Sequence, residues 1–426
     1  MPDGTARAHV FRPKLATALA EGYGLASFRK DAMAGLTVAV VALPLSMAIA
    51  VASGVAPERG LYAAVVGGFL VSALGGSRFQ VGGPAGAFIV LVAAAAARFG
   101  VDGLLLAVFI SGVLLTLMGL ARLGSLIRHV PQAVTVGFTA GIAVTILASQ
   151  LKDLLGLTLA RPEPGPLLPK LVALAEAMQT ANVAALALGA GSAAAIFALR
   201  RWRPGWPGML VAIVLASAAA RLLHLNVETI GSHFGGIPGG MPMPRWPSFT
   251  AHAVLEVLPT ALTFALLGAV ESLLSAKVAD GMTGRKHRYN MEMLAQGLAN
   301  VGSALFGGIC VTGTIARTAA NIRAGARSPM AGMMHSVFLL LFMLVAAPLA
   351  SFVPLCALAG ALVVVCWNMA ERHAFAAQLR SGRSAAVLLA TFGLTLLEDL
   401  TWGIAAGCLL SAALAIFPRA WARLRG

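Results

Sequence analysis

Apolar residues run in long blocks along this chain, cut by glycine, proline or charge instead of alternating with polar positions. Blocks of about 20 residues suffice to cross a bilayer. Such blocks lie near 32–53, 60–76, 103–120, 132–150, 181–199, 206–223, 253–279, 291–307, 330–347, 351–368, 384–398 and 400–418. Two further pieces, 79–98 and 309–323, are too short to cross as ordinary helices, and each opens on a few extended-looking residues and a glycine break. The pattern predicts an all-α polytopic membrane protein of 14 transmembrane elements, the third and tenth broken into a short strand and a half-helix. Asp399, ahead of Leu400-Thr401-Trp402, reads as a helix N-cap. The basic N-terminus leads into a long helix without a small-residue cleavage site, so no cleavable signal is expected.

Composition agrees with lipid as the solvent. Of 426 residues, 59% are hydrophobic and 11% charged, whereas a soluble domain carries about 25% charge. The formal charge of +15 would suggest a nucleic-acid partner in a soluble protein. Placed on the fourteen-element frame, 23 of the 31 Lys and Arg fall on the side of both termini and 7 on the other, with Arg317 inside the membrane. That asymmetry identifies the termini with the cytoplasm, in a multi-pass protein of the cell inner membrane, and excludes nucleic acid. A twelve-element frame would instead send Arg200, Arg201 and Arg203 outside. Cys310, Cys356, Cys366 and Cys408 have neither metal-ligand nor disulfide-framework spacing. No HExxH, Gly-x-Ser-x-Gly or Walker lysine is present, so neither an enzyme nor a resident cofactor or metal is expected.

Seven elements separate the two broken ones, and an odd unit repeated once must enter from the opposite side, which gives a 7+7 inverted repeat. The first and eighth elements carry Pro44 and Pro259, and the third and tenth open on Gln80-Val81-Gly82-Gly83-Pro84 and Cys310-Val311-Thr312-Gly313-Thr314. The expected division is a cytoplasmic segment 1–30, a first repeat 31–223, a linker 224–252, a second repeat 253–418 and a tail 419–426.

Non-helical chain survives at membrane depth only where it is buried in protein or lines a wet cavity, so a discontinuous helix points to a site. Pro84 suits the first turn of a half-helix, and Gly82, Gly83 and Gly86 allow close approach to a ligand. The free N–H groups of Ala85, Gly86 and Ala87 would point at the midplane, with Gly313 and Thr314 opening the matching half-helix. Two helix N-termini facing each other, each with about half a positive charge, suit an anion. Arg317, one turn into the tenth element, is costly in lipid and therefore a substrate-field candidate; the alternative is a place in the positive-inside series with Arg323 and Arg327. Glu271, deep in the eighth element with Ser275 at i+4, lacks a local cation. A carboxylate removed from water takes up a proton readily and suits proton coupling; the alternative is a structural hydrogen bond or a pair with Arg317.

The runs ALPLSMAIAVASGVAPERGLY (42–62), GGSRFQVGGPAGAF (75–88), PQAVTVGFTAG (131–141), AVESLLS (269–275) and VTGTIARTAAN (311–321) resemble, in order, the SulP family of anion transporters, sulfate permease-like proteins. The resemblance spans residues 31 to about 418. It implies a core domain of elements one to four and eight to eleven, a gate domain of the rest that mediates dimer contacts, and elevator-like rocking between them. It also implies that Gly83, Pro84, Ala85 and Gly86 form one side of the substrate site and Thr314, Ile315, Ala316 and Arg317 the other. Glu271 becomes the proton-coupling carboxylate, with Ser275, Thr312 and Gly313 beside it.

Two departures from the family pattern stand out. Many members carry Gln where this chain has Leu45, and the family usually continues into a soluble STAS domain, whereas this chain stops about eight residues after its last span. Sodium-dependent bicarbonate members carry Asp and Thr on the eighth helix and Thr in the tenth; Glu271, Ser275 and Ile315 stand here, which favours protons. The expectation is a secondary active transporter by proton-coupled symport of a small inorganic anion or a dicarboxylate. Its partners are that anion, protons more than sodium, the lipid bilayer and a second copy in a homodimer. The alternatives are sodium-coupled bicarbonate symport or anion exchange and, from another class, an anion channel.

Overall fold

The computed structural model describes residues 11–124, 131–161, 163–164, 167–203, 206–397 and 400–424. Asp399, part of the N-terminal segment and the last two residues of the expected tail lie outside the described residues.

The described residues are mostly helical. The elements are α1 (Lys14–Ala20), α2 (Leu25–Ala52), α3 (Pro57–Tyr62), a π-helical turn (Ala63–Gly67), α4 (Gly68–Leu74), β1 (Gly82–Gly83) and a 3-10 turn (Gly86–Phe88). There follow α5 (Ile89–Leu120), α6 (Gln132–Leu155), α7 (Leu167–Glu176), α8 (Val183–Trp202), α9 (Gly208–Leu222), α10 (Ile230–Phe234), α11 (Ala251–Thr283) and α12 (Tyr289–Leu305). The remainder is β2 (Thr312–Gly313), α13 (Ile315–Arg323), α14 (Met330–Ala350), α15 (Leu355–Met369), α16 (Arg372–Leu379), α17 (Gly382–Leu397) and α18 (Leu400–Leu424).

Among the described residues, seven helices are long and apolar enough to cross a membrane: Leu25–Ala52, Gly86–Leu120, Gln132–Leu155, Val183–Trp202, Ala251–Thr283, Met330–Ala350 and Leu355–Leu379. Gly208–Leu222, Gly382–Leu397 and Trp402–Leu414 are shorter apolar helices. Length alone therefore yields fewer spans than the apolar blocks suggest, for local reasons. The second block is divided by the π-helical turn. The third and fourth elements, 79–98 and 103–120, are continuous in α5 except at Gly100, whose φ of 69° and ψ of −177° break the helix; only glycine adopts such angles freely. Pro44 and Pro259 are accommodated inside α2 and α11.

In packing, α5 lies along α11 and α12, and α2 along α14; α15 packs on α6 and α8, and α17 on α6 and α18. Small residues allow a close crossing of α5 and α12. A Cβ on Gly112 of α5 would stand 2.7 Å from the Gly297 carbonyl of α12, and one on Gly297 would meet Thr116. Such backbone approach lets van der Waals contact hold helices together where lipid supplies no hydrophobic drive. Outside the helices, α1 is tied down by the ion pairs Glu21–Arg78 and Glu21–Arg285 and by Arg288, which donates to the Arg12 carbonyl.

Candidate anion site

The interior contains two short strands, and they pair with each other. β1 and β2 run antiparallel with Gly82 opposite Gly313 and Gly83 opposite Thr312. A two-residue ladder satisfies few backbone groups, so side chains complete it. One stripe of α12 does most of this: Glu292, Gln296, Asn300 and Ser303 recur at helical spacing and are all buried. Glu292 accepts the Ser77 N–H (2.8 Å) just ahead of β1. Asn300 accepts the Val311 N–H (2.9 Å) and donates to its carbonyl (2.8 Å), Gln296 also donates to that carbonyl, and Ser303 donates to Ile309 (2.7 Å). From α13, Thr318 accepts the Val81 N–H (3.2 Å) and Asn321 donates to the Phe79 carbonyl (2.9 Å). The cost of buried unpaired backbone is thus removed by polar side chains on apolar helices.

The pairing sets both half-helices beside the strands. On one side Ala85 is the N-cap, Gly86–Phe88 is a 3-10 turn and α5 begins at Ile89. Pro84 therefore precedes the N-cap and does not occupy the first helical turn, because the chain stays extended through Ala85. Phe88 stacks edge-on against Phe264 of α11, at 5.9 Å between ring centroids. On the other side Thr314 is the N-cap of α13, without a side-chain cap bond, and its N–H donates instead to the Val81 carbonyl (3.1 Å). Neither helix start is capped by a side chain, and Gly86, Ile315 and Ala316 keep some solvent access while Ala85 and Thr314 are buried. A Cβ on Gly86 would stand 3.2 Å from Met369 Sδ and 3.7 Å from Ile146 Cδ1. Apolar side chains of α15 and α6 thus face the first helix start.

Arg317 is 2% exposed. Its Nη2 donates to Ser46 Oγ (3.0 Å) and to the Pro84 carbonyl (3.4 Å), while Nε and Nη1 have no hydrogen-bond partner. Gly83 leaves the space for this guanidinium, since a Cβ there would collide with Nη1. Leu45 is buried next to Ser46, so the serine hydroxyl supplies the polar contact at this turn of α2.

Glu271 sits half-buried in α11 and takes no part in the ion pairs among the described residues, so the alternative of a Glu271–Arg317 pair is not what the structure contains. Its neighbour Ser272 hydrogen-bonds Thr312 Oγ1 (2.9 Å) and accepts the Gly313 N–H (3.2 Å), which fixes this part of α11 to β2. Ser275 donates to Thr318 Oγ1 (3.2 Å).

Of the residues singled out in sequence, Gly83, Pro84, Thr312, Gly313, Thr314 and Arg317 lie in or against the β1–β2 pair, Ser275 is joined to it through Thr318, and among the described residues Glu271 makes no hydrogen bond to it. Sequence reasoning missed Ser46, Ser272, Gln296, Asn300, Thr318 and Asn321. The usable signal was a polar residue every third or fourth position on helices otherwise apolar. A separate cavity of about 660 Å³ lies under the strap 242–248, lined by Glu58, Arg59, Asp102 and Arg245, and includes none of these residues.

Residues 28–391 match the model of the Sulfate permease family. The protein named "Putative sulfate transporter YvdB" of Bacillus subtilis (strain 168) is 44% identical over 393 residues, which are 92% of this chain and 74% of that protein. "Bicarbonate transporter BicA" of Picosynechococcus sp. is 32% identical over 407 residues, 92% of this chain and 70% of that one. Among solved structures, the transmembrane domain of a cyanobacterium bicarbonate transporter BicA superposes with a TM-score of 0.80 at 28% identity, over 90% of this chain and 98% of that chain.

Proposed function

The chain belongs to the sulfate permease family, and on that basis we propose that it is a secondary active anion transporter of the cell inner membrane, working by proton-coupled symport of a small inorganic anion or a dicarboxylate. The observation that carries the reading is the guanidinium of Arg317, buried beside two uncapped helix starts that the β1–β2 pair holds together. Fixed N–H dipoles and one cation in a low-dielectric interior favour negative charge. Gly83, Pro84, Ala85 and Gly86 line one side of the site, and Thr314, Ile315, Ala316 and Arg317 the other.

Glu271 is the coupling carboxylate in this reading. It lies next to the serine that grips β2 and, among the described residues, has no cation paired with it. Protonation removes a negative charge that would otherwise repel the bound anion, so proton and anion move together. Ser275, Thr312 and Gly313 border this position.

The same reading makes the chain a 7+7 inverted repeat of fourteen elements, residues 31–223 and 253–418, with both termini cytoplasmic. The helices packed around β1 and β2 form the core, α6, α8, α9, α15, α17 and α18 form the gate, and the core rocks against the gate in a homodimer. The likeness to a protein named as a bicarbonate transporter supports a second reading, sodium-coupled bicarbonate symport.

An uptake panel of radiolabelled sulfate, bicarbonate and fumarate in proteoliposomes tests these readings. Uptake driven by an imposed pH gradient without sodium is expected. Strict sodium dependence would favour the second reading, and resolvable single-channel current steps would make the protein a channel.

A further inference from the structure

In the core-and-gate division proposed above, the chain passes between gate and core at residues 223–250, from α9 to α11, and again at residues 351–354, from α14 to α15. The structure joins these two crossings to each other. Ile230 donates to the Val353 carbonyl (2.9 Å), Gly231 to that of Ser351 (2.8 Å) and Leu355 to that of Glu228 (2.9 Å), around an antiparallel bridge between Thr229 and Pro354. Gly231 permits the approach, since a Cβ there would stand 2.8 Å from the Ser351 carbonyl oxygen. A reciprocal cap between Thr229 and Ser232 fixes the turn, and Ile230 is fully buried. Asn182, the N-cap of α8, donates to the Asn226 carbonyl (2.6 Å) and so ties this clasp to a gate helix.

The far end of the first crossing is held elsewhere. Arg245 donates its N–H to the Leu305 carbonyl at the end of α12 (2.8 Å), Trp246 and Phe249 meet Phe109 of α5 edge-on (5.8 and 5.3 Å between centroids), and Thr250 caps α11. All three helices pack around β1 and β2 or on one another. Between the clasp and these anchors, the backbone of residues 236–244 makes no hydrogen bond among the described residues. Four of the six residues from 235 to 240 are glycine. Gly235 and Gly236 take φ of 77° and 105°, and a Cβ on Gly235, Gly239 or Gly240 would meet nothing within 4 Å. Ile237 packs on the apolar interior, but no hydrogen bond has to break when these glycines turn. The second crossing has its own place to bend, at Pro348 within the last turn of α14.

We propose that residues 228–231 and 351–355 form a fixed clasp, and that residues 235–240 are the hinge through which the core moves against the gate. The clasp keeps the two crossings together, while the six hinge residues, which reach at most about 20 Å when extended, take up the displacement. The movement rests on the transport reading given above; the contrast between a fixed clasp and a loose hinge does not.

Residue-resolved hydrogen–deuterium exchange on the purified wild-type protein tests that contrast. After correction for intrinsic rates, the amides of Ile230, Gly231 and Leu355 should exchange about 100-fold more slowly than those of Ile237, Gly239 and Gly240. Equal rates overturn clasp and hinge together. A length series in proteoliposomes tests the movement. Deletion of Gly239 and Gly240 removes about 7 Å of reach. It should lower uptake of labelled sulfate and bicarbonate about tenfold and leave their equilibrium binding unchanged, as expected of a hinge remote from the site. Two glycines inserted after Gly240 should leave uptake at the wild-type rate. Uptake unchanged by the deletion, or lowered equally by deletion and insertion, overturns the hinge. If the wild type takes up neither anion, the transport reading fails, and the exchange ratio still decides between a fixed clasp with a loose hinge and a uniform linker.

Discussion

Arg317 Nη2 lies 3.0 Å from Ser46 Oγ, and the same hydroxyl donates to the Ala42 carbonyl at 2.7 Å. A residue of α13 is thereby fixed to the turn of α2 just beyond Pro44. Replacing Arg317 with Ala should remove a charge-assisted contact to the anion, which is typically about 1.5–3 kcal/mol, or roughly 10–100-fold in Kd. Arg317→Lys should fall between, because it keeps the charge but not the planar fork. Unchanged affinity in calorimetric titrations would remove Arg317 from the site.

Gly83→Ala tests the space kept for that guanidinium. The added methyl would collide with Nη1, the far end of a flexible side chain. Gly83 also has a φ of 157°, where an L side chain is strained, so Tm should fall somewhat while anion affinity falls about tenfold, as expected if one charged hydrogen bond is misaligned. A large loss of Tm with normal affinity would contradict this.

Glu271→Gln should leave anion binding largely intact and abolish the dependence of uptake on an inward proton gradient. Glutamine keeps the shape and hydrogen-bonding capacity but carries no titratable proton. Proteoliposome uptake at varied external pH measures this, and gradient-driven accumulation by the variant would remove Glu271 from coupling.

Asn300→Leu should destabilise the protein. It strips both the N–H and the carbonyl of Val311 of their Asn300 partner in a buried strand, with Gln296 still reaching the carbonyl. The orphaned N–H alone costs about 1–3 kcal/mol, which thermal unfolding in detergent should detect. A Tm equal to that of the wild type would mean that another group takes over the amide.

Acid should loosen α1. The hydrogen bond from Arg78 holds the Glu21 carboxyl below its usual range, with the charges of Arg78 and Arg285 acting in the same direction. A depressed value in the folded state means that the contribution is present above the ordinary carboxylate pKa and lost as pH falls through the lower, folded value. Amide exchange in α1, corrected for intrinsic rates, should rise below about pH 4 in the wild type. In Glu21→Gln that rise should be absent.

Much of this arrangement was legible in the sequence because membrane depth penalises irregular backbone so heavily. Gly82-Gly83-Pro84 and Thr312-Gly313-Thr314 interrupt apolar blocks where a continuous helix would be expected, and a charge at Arg317 or Glu271 needs a reason to be there. That the two strands pair was not legible, because Gly82 and Gly313 have no side chain to advertise a partner. Gln296, Asn300 and Asn321 were missed for a different reason. A few amides hardly alter the mean hydropathy of a helix, so only the stripe they form on one face of α12 and α13 reveals them. The start of α5 was misplaced because Pro84 fits a first helical turn, whereas the chain stays extended as far as Ala85.

The pairing of β1 with β2 also bears on how the chain is made. Thr314 donates to the Val81 carbonyl across 233 residues of sequence. At roughly 5–20 residues per second, the ribosome needs on the order of 10–50 seconds to deliver β2 after β1 has emerged. Throughout that interval Gln80 to Pro84 has no strand to pair with, and lipid cannot hydrogen-bond it. The segment must therefore wait at the membrane surface or in the translocation channel and enter the bilayer late, once its partner from the second half has arrived.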